Sequence, residues 1–147
     1  MPDLPISPPG NLHIAAEEIL SCTLSWLRQN YFNFQFYAER DIVWTIQQQF
    51  VQLVRDRRLN LKVFSDYPIM FNDKRARVDL ALIDDNNSIV LALEFKYEPS
   101  HRRKDILPTK FPVVFWAEVK KDIERIHHFV EVGKAQAAYS ILIDEGG

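Results

Sequence analysis

Arg75-Ala76-Arg77-Val78-Asp79-Leu80-Ala81-Leu82-Ile83-Asp84-Asp85-Asn86-Asn87-Ser88-Ile89-Val90-Leu91-Ala92-Leu93-Glu94-Phe95-Lys96-Tyr97 is the stretch on which the fold turns. Two runs dense in Leu, Ile, Val and Ala flank a polar segment, Asp84 to Ser88. Apolar runs bounded by such turn residues read as an antiparallel hairpin, with strands over 75–83 and 89–97. With Asn86-Asn87 as the central turn residues, Asp79 faces Glu94 and Arg77 faces Lys96. Directly opposed side chains have Cβ atoms about 5 Å apart, and two carboxylates at that spacing repel unless a cation sits between them. Lys96 projects to the same face as Glu94, and Phe95 to the other. Charges that interrupt a core-like strand are expensive to bury without partners. At the rim of a sheet the same residues become a working set: carboxylate oxygens hold a hard divalent cation, while the ammonium contacts an attacking water or charge developing on a phosphate. The plainer reading of the trio is a solvated surface pair worth about 0–1 kcal/mol. The apolar flanks and the opposed register weigh against it.

Working outward, the periodicity changes from two to that of helices on both sides. Upstream, Leu61 to Pro68 reads as another strand, joined through an Asn72-Asp73 turn. Before it, Asp41 can cap a helix running to about Arg58, with Ile42, Val43, Ile46, Phe50, Leu53 and Val54 on one stripe. An earlier helix follows Asn11 and carries Leu12, Ala16, Ile19, Leu20, Thr23, Leu24 and Leu27 at a 3.6-residue period. Between the two helices, Tyr31 to Tyr37 reads as a short strand or a packed aromatic loop. Downstream, Val119, Ile123, Ile126 and Val130 predict the buried seam of a helix over about 118–132, ended by Gly133. Residues 137–143 make a last strand. From residue 41 the order is αβββαβ, an α/β core whose hairpins are antiparallel and whose final strand, reached through a helical crossover, is suited to lie parallel to a neighbour.

Composition sets the outer bounds. The chain has 147 residues, and 18 Lys plus Arg against 20 Asp plus Glu leave a net charge of −2. This length suits one domain, taken as 11–147 behind an extended Pro-rich arm over 1–10. The 47% hydrophobic content excludes a predominantly disordered chain. A single Cys, Cys22, and four His without metal-ligand spacing exclude a disulfide framework and argue against a zinc site. The first residues lack the basic and apolar regions of a signal peptide, and no apolar run is long enough to span a bilayer. The expectation is a cytoplasmic protein without a membrane partner, whose C-terminus, ending abruptly after a strand, is truncated.

The Asp79 strand, the Glu94-Phe95-Lys96 strand and the αβββαβ order resemble the PD-(D/E)xK, or restriction-endonuclease-like, nuclease superfamily over residues 37–143. The wording Phe36-Tyr37-Ala38-Glu39-Arg40-Asp41, Asp66-Tyr67-Pro68, Arg77-Val78-Asp79-Leu80 and Glu94-Phe95-Lys96-Tyr97-Glu98-Pro99 is similar to a group of small bacterial, mainly cyanobacterial, proteins. The resemblance implies a Mg2+-dependent deoxyribonuclease, with Mn2+ as a substitute. Asp79 and Glu94 are then metal ligands, joined by the backbone carbonyl of Phe95, and Lys96 is the catalytic lysine. An additional acidic residue from the preceding helix is implied, with Glu39 first and Asp41 second. One departure is Val78, which stands where the motif has Pro; it alters backbone restraint without removing a ligand.

DNA is the expected partner, and a homodimer is consistent with two related cuts. Arg75, Arg77, Arg102, Arg103, Lys104 and Lys110 are the basic residues that could follow a nucleic-acid backbone. A noncatalytic nucleic-acid-binding or protein-interaction subunit retaining the fold is the alternative. His127 and His128, adjacent on a helix, make no metal pair, and Trp44, Trp116 and Tyr139 are assigned to core packing over base stacking, with an exposed position as the alternative for Trp116, which precedes the predicted helix.

Overall fold

A computed structural model describes residues 12–71, 73–100, 102–105 and 114–146. The expectations for the arm over 1–10, for Asn11, Asn72 and Lys110 lie outside these residues. The elements follow in the order α1 (Leu12–Asn30), a 3-10 turn (Tyr31–Asn33), α2 (Glu39–Asp56), β1 (Lys62–Phe71), β2 (Lys74–Ile83), β3 (Ile89–Glu98), α3 (Trp116–Glu131) and β4 (Ala135–Asp144). The four strands form one mixed sheet in the order β1-β2-β3-β4. The β1–β2 and β2–β3 pairs are antiparallel, and β4 runs parallel to β3 from Ile89–Ala135 to Glu98–Asp144. Pro68 is accommodated because β1 is an edge strand. Among the described residues no helix is long and apolar enough to cross a membrane.

Apolar side chains are buried on both faces of the sheet. Ile19 and Leu27 of α1 and Ile42, Ile46 and Phe50 of α2 pack with Leu80, Leu82, Leu91, Leu93 and Phe95. Ile126 and Phe129 of α3 pack with Val78, Ala81, Ile83, Ile89 and Ala92. The aromatic segment is a packed loop: Phe34 and Phe36 stack at 5.2 Å, and the Tyr97 hydroxyl donates to the Phe36 carbonyl at 3.1 Å.

Helix α2 starts two residues before the expected cap. Asp41 sits inside the first turn, where Oδ2 accepts the amides of Tyr37 at 3.0 Å and Ala38 at 2.9 Å. Its carboxylate reaches back to otherwise orphaned N–H groups. Glu39 thereby becomes the first helical residue, at the positive end of the helix dipole.

The hairpin keeps the expected register through a different turn. The Asn87 amide donates to the Asp84 carbonyl and the Asp84 amide to the Ser88 carbonyl, so Asp85 and Asn86 are central and Asn87 is left-handed at φ 61°. Asp84 Oδ1 also accepts the amides of Asn86 and Ser88 at 2.9 and 2.8 Å. This closure alone shifts the register by one residue. Ile83 accordingly pairs with Ile89, but Leu82 pairs with Leu91, leaving Val90 as a bulge that restores the Leu80–Leu93 pairing. The ladder ends there. Asp79–Glu94 and Arg77–Lys96 are therefore not ladder pairs as the uninterrupted register had them.

Two assignments of buried side chains are corrected. On α3 the buried positions are Val119, Asp122, Ile126 and Phe129, whereas Ile123 is 51% and Val130 38% exposed. Phe129 outweighs the smaller aliphatics in setting the helix rotation, and an acidic residue shares the buried stripe. Trp44, Trp116 and Tyr139 are 63%, 73% and 41% exposed. Trp44 lies off the α2 stripe, Trp116 opens α3, and Tyr139 on the edge strand β4 donates its hydroxyl to Glu17 at 2.7 Å.

The helix rotation has a direct check. Phe129→Ala should cost about 3–5 kcal/mol and Ile123→Ala less than about 1 kcal/mol, measured by urea denaturation. Equal losses would contradict the observed face of α3.

Candidate active site

The ladder opens where the charged residues begin. In β1 and β2 the pairing runs from Ser65–Leu80 to Tyr67–Val78 and passes over Asp66 and Asp79; Asp66 has a left-handed φ of 52°. The apolar faces change phase at this point: Ala76 and Val78 pack on the α3 side, Leu80 and Leu82 on the α1/α2 side. Freed from regular alternation, the Asp79 carboxylate turns toward β3. Its Oδ2 accepts the Phe95 amide at 2.7 Å, which brings the carboxylate close enough to Glu94 to raise the Glu94 pKa.

Glu94 is 5% exposed and receives Nη2 of Arg125 on Oε1 at 2.8 Å. The same Nη2 lies 3.4 Å from Asp122 Oδ1, and Lys96 Nζ lies 3.3 Å from Asp122 Oδ2. Asp122 is itself only 9% exposed. Asp122 Oδ2 and Arg125 Nε are buried without a hydrogen-bond partner, so the Lys96–Asp122 contact is an ion pair lacking hydrogen-bond geometry. Glu39 acts electrostatically on Lys96, and it lines with Asp79, Asp66, Asp41 and the exposed Trp44 a cleft of about 540 Å³ beside the N-terminus of α2. Asp79, Glu94, Lys96 and Glu39 are thus gathered at one end of the sheet. Phe95, 1% exposed, lies in the parallel ladder opposite Ile141.

The expected basic residues divide. Arg75 and Arg77 are exposed on β2, and Arg77 Nη1 reaches Asp66 Oδ2 at 3.0 Å instead of confronting Lys96. Arg102 and Lys104 are also exposed. Arg103 turns inward, with a side chain 16% exposed that donates to the Tyr97 hydroxyl at 2.8 Å and the Phe36 carbonyl at 2.5 Å and meets Glu145 at 3.4 Å. Its role in this fold is to tie three segments together. Asp122 and Arg125 were not foreseen: each charge, read alone on a helix, is compatible with solvent. Their spacing of three residues beside Ile126 and Phe129 is the signal that places both near the buried face.

The donor set suits a hard cation of the Mg2+ type. Among the described residues no cluster of three or more His, Cys, Asp or Glu forms a metal cage. Mg2+ commonly needs only one or two carboxylates, with waters and phosphate oxygens completing its shell, and Asp79 and Glu94, neighbours where the ladder ends, supply two. Searches of protein-family models, curated proteins and solved structures returned no match to this chain.

Burial and the neighbouring Asp79 carboxylate push Glu94 up to about 8, and Arg125 opposes that shift without cancelling it. Burial works against the charged form of Lys96, but Asp122, Glu39 and Glu118 outweigh it and raise its pKa. Lys96 is therefore a cationic donor at neutral pH, unsuited to act as a free-amine base. For Glu94 the unfolded chain releases its proton near 4.5 and the folded chain near 8, so the associated stability is present at low pH and lost as pH rises through about 8. In chelator, the wild-type melting temperature should fall more steeply than that of Glu94→Gln between about pH 5 and about pH 9. Parallel curves would contradict the assigned protonation of this pair.

Proposed function

We propose that this chain is a PD-(D/E)xK, restriction-endonuclease-like nuclease that hydrolyses DNA phosphodiester bonds with Mg2+. The observation that carries the reading is the convergence of Asp79 with Glu94-Phe95-Lys96 where the β2–β3 ladder ends. The succession from α2 through β4 agrees with the αβββαβ order of that superfamily.

On this reading Asp79 and Glu94 hold the cation, with the Phe95 carbonyl as a further ligand and Glu39 approaching from α2. The cation supplies a bound water of lowered pKa and neutralises charge on the phosphoryl oxygens. The chain's own contribution begins with position. The Phe95 amide fixes one oxygen of Asp79 and so orients the carboxylate. Lys96, held as an ammonium, donates to the attacking water or to a nonbridging phosphate oxygen as negative charge grows there. Arg75, Arg77, Arg102 and Lys104 are exposed cations able to contact flanking phosphates. A homodimer would bring two such sites to the paired strands of a duplex.

A second reading has its own support. Glu94 is already paired with Arg125 and Lys96 with Asp122, so both are engaged in ion pairs within the fold. That favours a noncatalytic nucleic-acid-binding or protein-interaction subunit retaining a nuclease fold.

Cleavage of linear duplex, single-stranded and branched DNA with Mg2+ or Mn2+ separates the two. The nuclease reading expects wild-type cleavage, a loss on the order of 10²–10⁴-fold in Lys96→Ala with metal binding retained, and loss of both properties in Asp79→Ala. Equal cutting by wild type and folded Lys96→Ala would dismiss this active site. Nucleic-acid binding without cutting on any substrate would favour the second reading.

A further inference from the structure

Helix α3 places a cation where the proposed nuclease site needs one. Arg125 Nη2 sits 2.8 Å from Glu94 Oε1, and Glu94 is the most deeply buried acid of the site at 5% exposed. The guanidinium is not buried with it: the Arg125 side chain is 36% exposed, at the rim. The same Nη2 lies 3.4 Å from Asp122 Oδ1, so a second carboxylate stands ready for it one turn earlier on the same helix. Arg125 Nε, buried and without a hydrogen-bond partner, shows that the present pose leaves the side chain incompletely satisfied.

We propose that Arg125 is a resident counter-cation of the site, occupying Glu94 until a divalent cation displaces its guanidinium toward Asp122 and solvent. The inference rests on the reading of Asp79 and Glu94 as metal ligands and adds how their site is kept closed. An arginine suits this task because its charge persists at all relevant pH values and its planar donors bridge two carboxylates. The partial exposure of the guanidinium gives it a route to solvent, so a divalent cation can compete with it. Lys96 need not leave, since its own contact is to Asp122 Oδ2, the other oxygen of that carboxylate.

Two consequences separate this role from a purely structural ion pair. Removing the charge should tighten metal binding while loosening the metal-free fold, whereas loss of a merely structural bridge would weaken both. A lysine at 125 should restore the wild-type balance in part, as a cation without the bridging geometry.

The test is Mn2+ titration by calorimetry on the full chain, with thermal melts in chelator. The variants are Arg125→Gln, Arg125→Lys and, as a control, Lys120→Gln, which removes a charge of the same sign from a side chain 79% exposed on the same helix. The expected result is Mn2+ binding roughly fivefold tighter in Arg125→Gln, with a lower metal-free melting temperature, an intermediate Arg125→Lys and little change in Lys120→Gln. Unchanged or weaker binding by folded Arg125→Gln overturns the proposal and leaves the metal site standing. An equal gain in Lys120→Gln also overturns it, assigning the effect to net charge. Binding by Arg125→Gln alone supports the proposal in its strongest form. Absence of binding in wild type and every folded variant overturns the metal-site reading and this inference with it.

Discussion

The hydrogen bond from the Phe95 amide to Asp79 Oδ2 is the constraint around which this end of the molecule is arranged. A strand amide in a regular ladder donates to a neighbouring carbonyl; here a side-chain carboxylate accepts it, and the ladder ends two residues earlier at Leu93. Because the donor lies in the peptide chain between Glu94 and Lys96, one bond brings all three charged residues into a common setting. The cost is a buried carboxyl pair, which is eased by retaining a proton on Glu94 and by the Arg125 guanidinium.

The surrounding elements hold this opening in place from both faces. Leu80, Leu82, Leu91 and Leu93 anchor the intact part of the hairpin against α1 and α2, while Val78, Ala81 and Ala92 pack on the α3 side. Phe129 sets the rotation of α3, and that rotation carries Asp122 to Lys96 and Arg125 to Glu94. On the opposite side Asp41 caps α2 from within its first turn, which sets Glu39 at the helix start. Farther out, Arg103 and Glu145 join the loop before α2 to the segments after β3 and β4 through Phe36, Tyr97 and Ser100. These contacts take no part in the charged cluster, and Arg103 and Glu145 line a cavity separate from the Glu39–Asp79 cleft.

The charge balance gives the site two faces. Toward α2 lie Asp79, Glu39 and Asp66 around an open cleft, and toward α3 lie Glu94, Lys96, Asp122 and Arg125 in a connected set. A cation drawn to the first meets a carboxylate already compensated by the second. Exchange of that compensation runs through Arg125, whose side chain reaches the rim while Glu94 is buried.

The order of elements from α2 to β4 was legible in the sequence because period-two apolar runs and period-3.6 stripes impose opposite burial patterns. So was the proximity of Asp79 to Glu94, since a short polar turn leaves adjacent strands few registers. Its geometry was not: the Asp85-Asn86 turn and the Val90 bulge shift the chain in opposite directions, and only their sum resembles a simple Asn86-Asn87 hairpin. Trp44 and Tyr139 are exposed against expectation because hydrophobicity measures a side chain's preference for burial and says nothing about whether neighbouring elements cover it. The partners of Asp122 and Arg125 became visible only in three dimensions. Their function as counter-ions depends on the rotation of α3 against residues some thirty positions away, and that rotation is decided by how Phe129 fits the sheet, a packing constraint that local sequence does not encode.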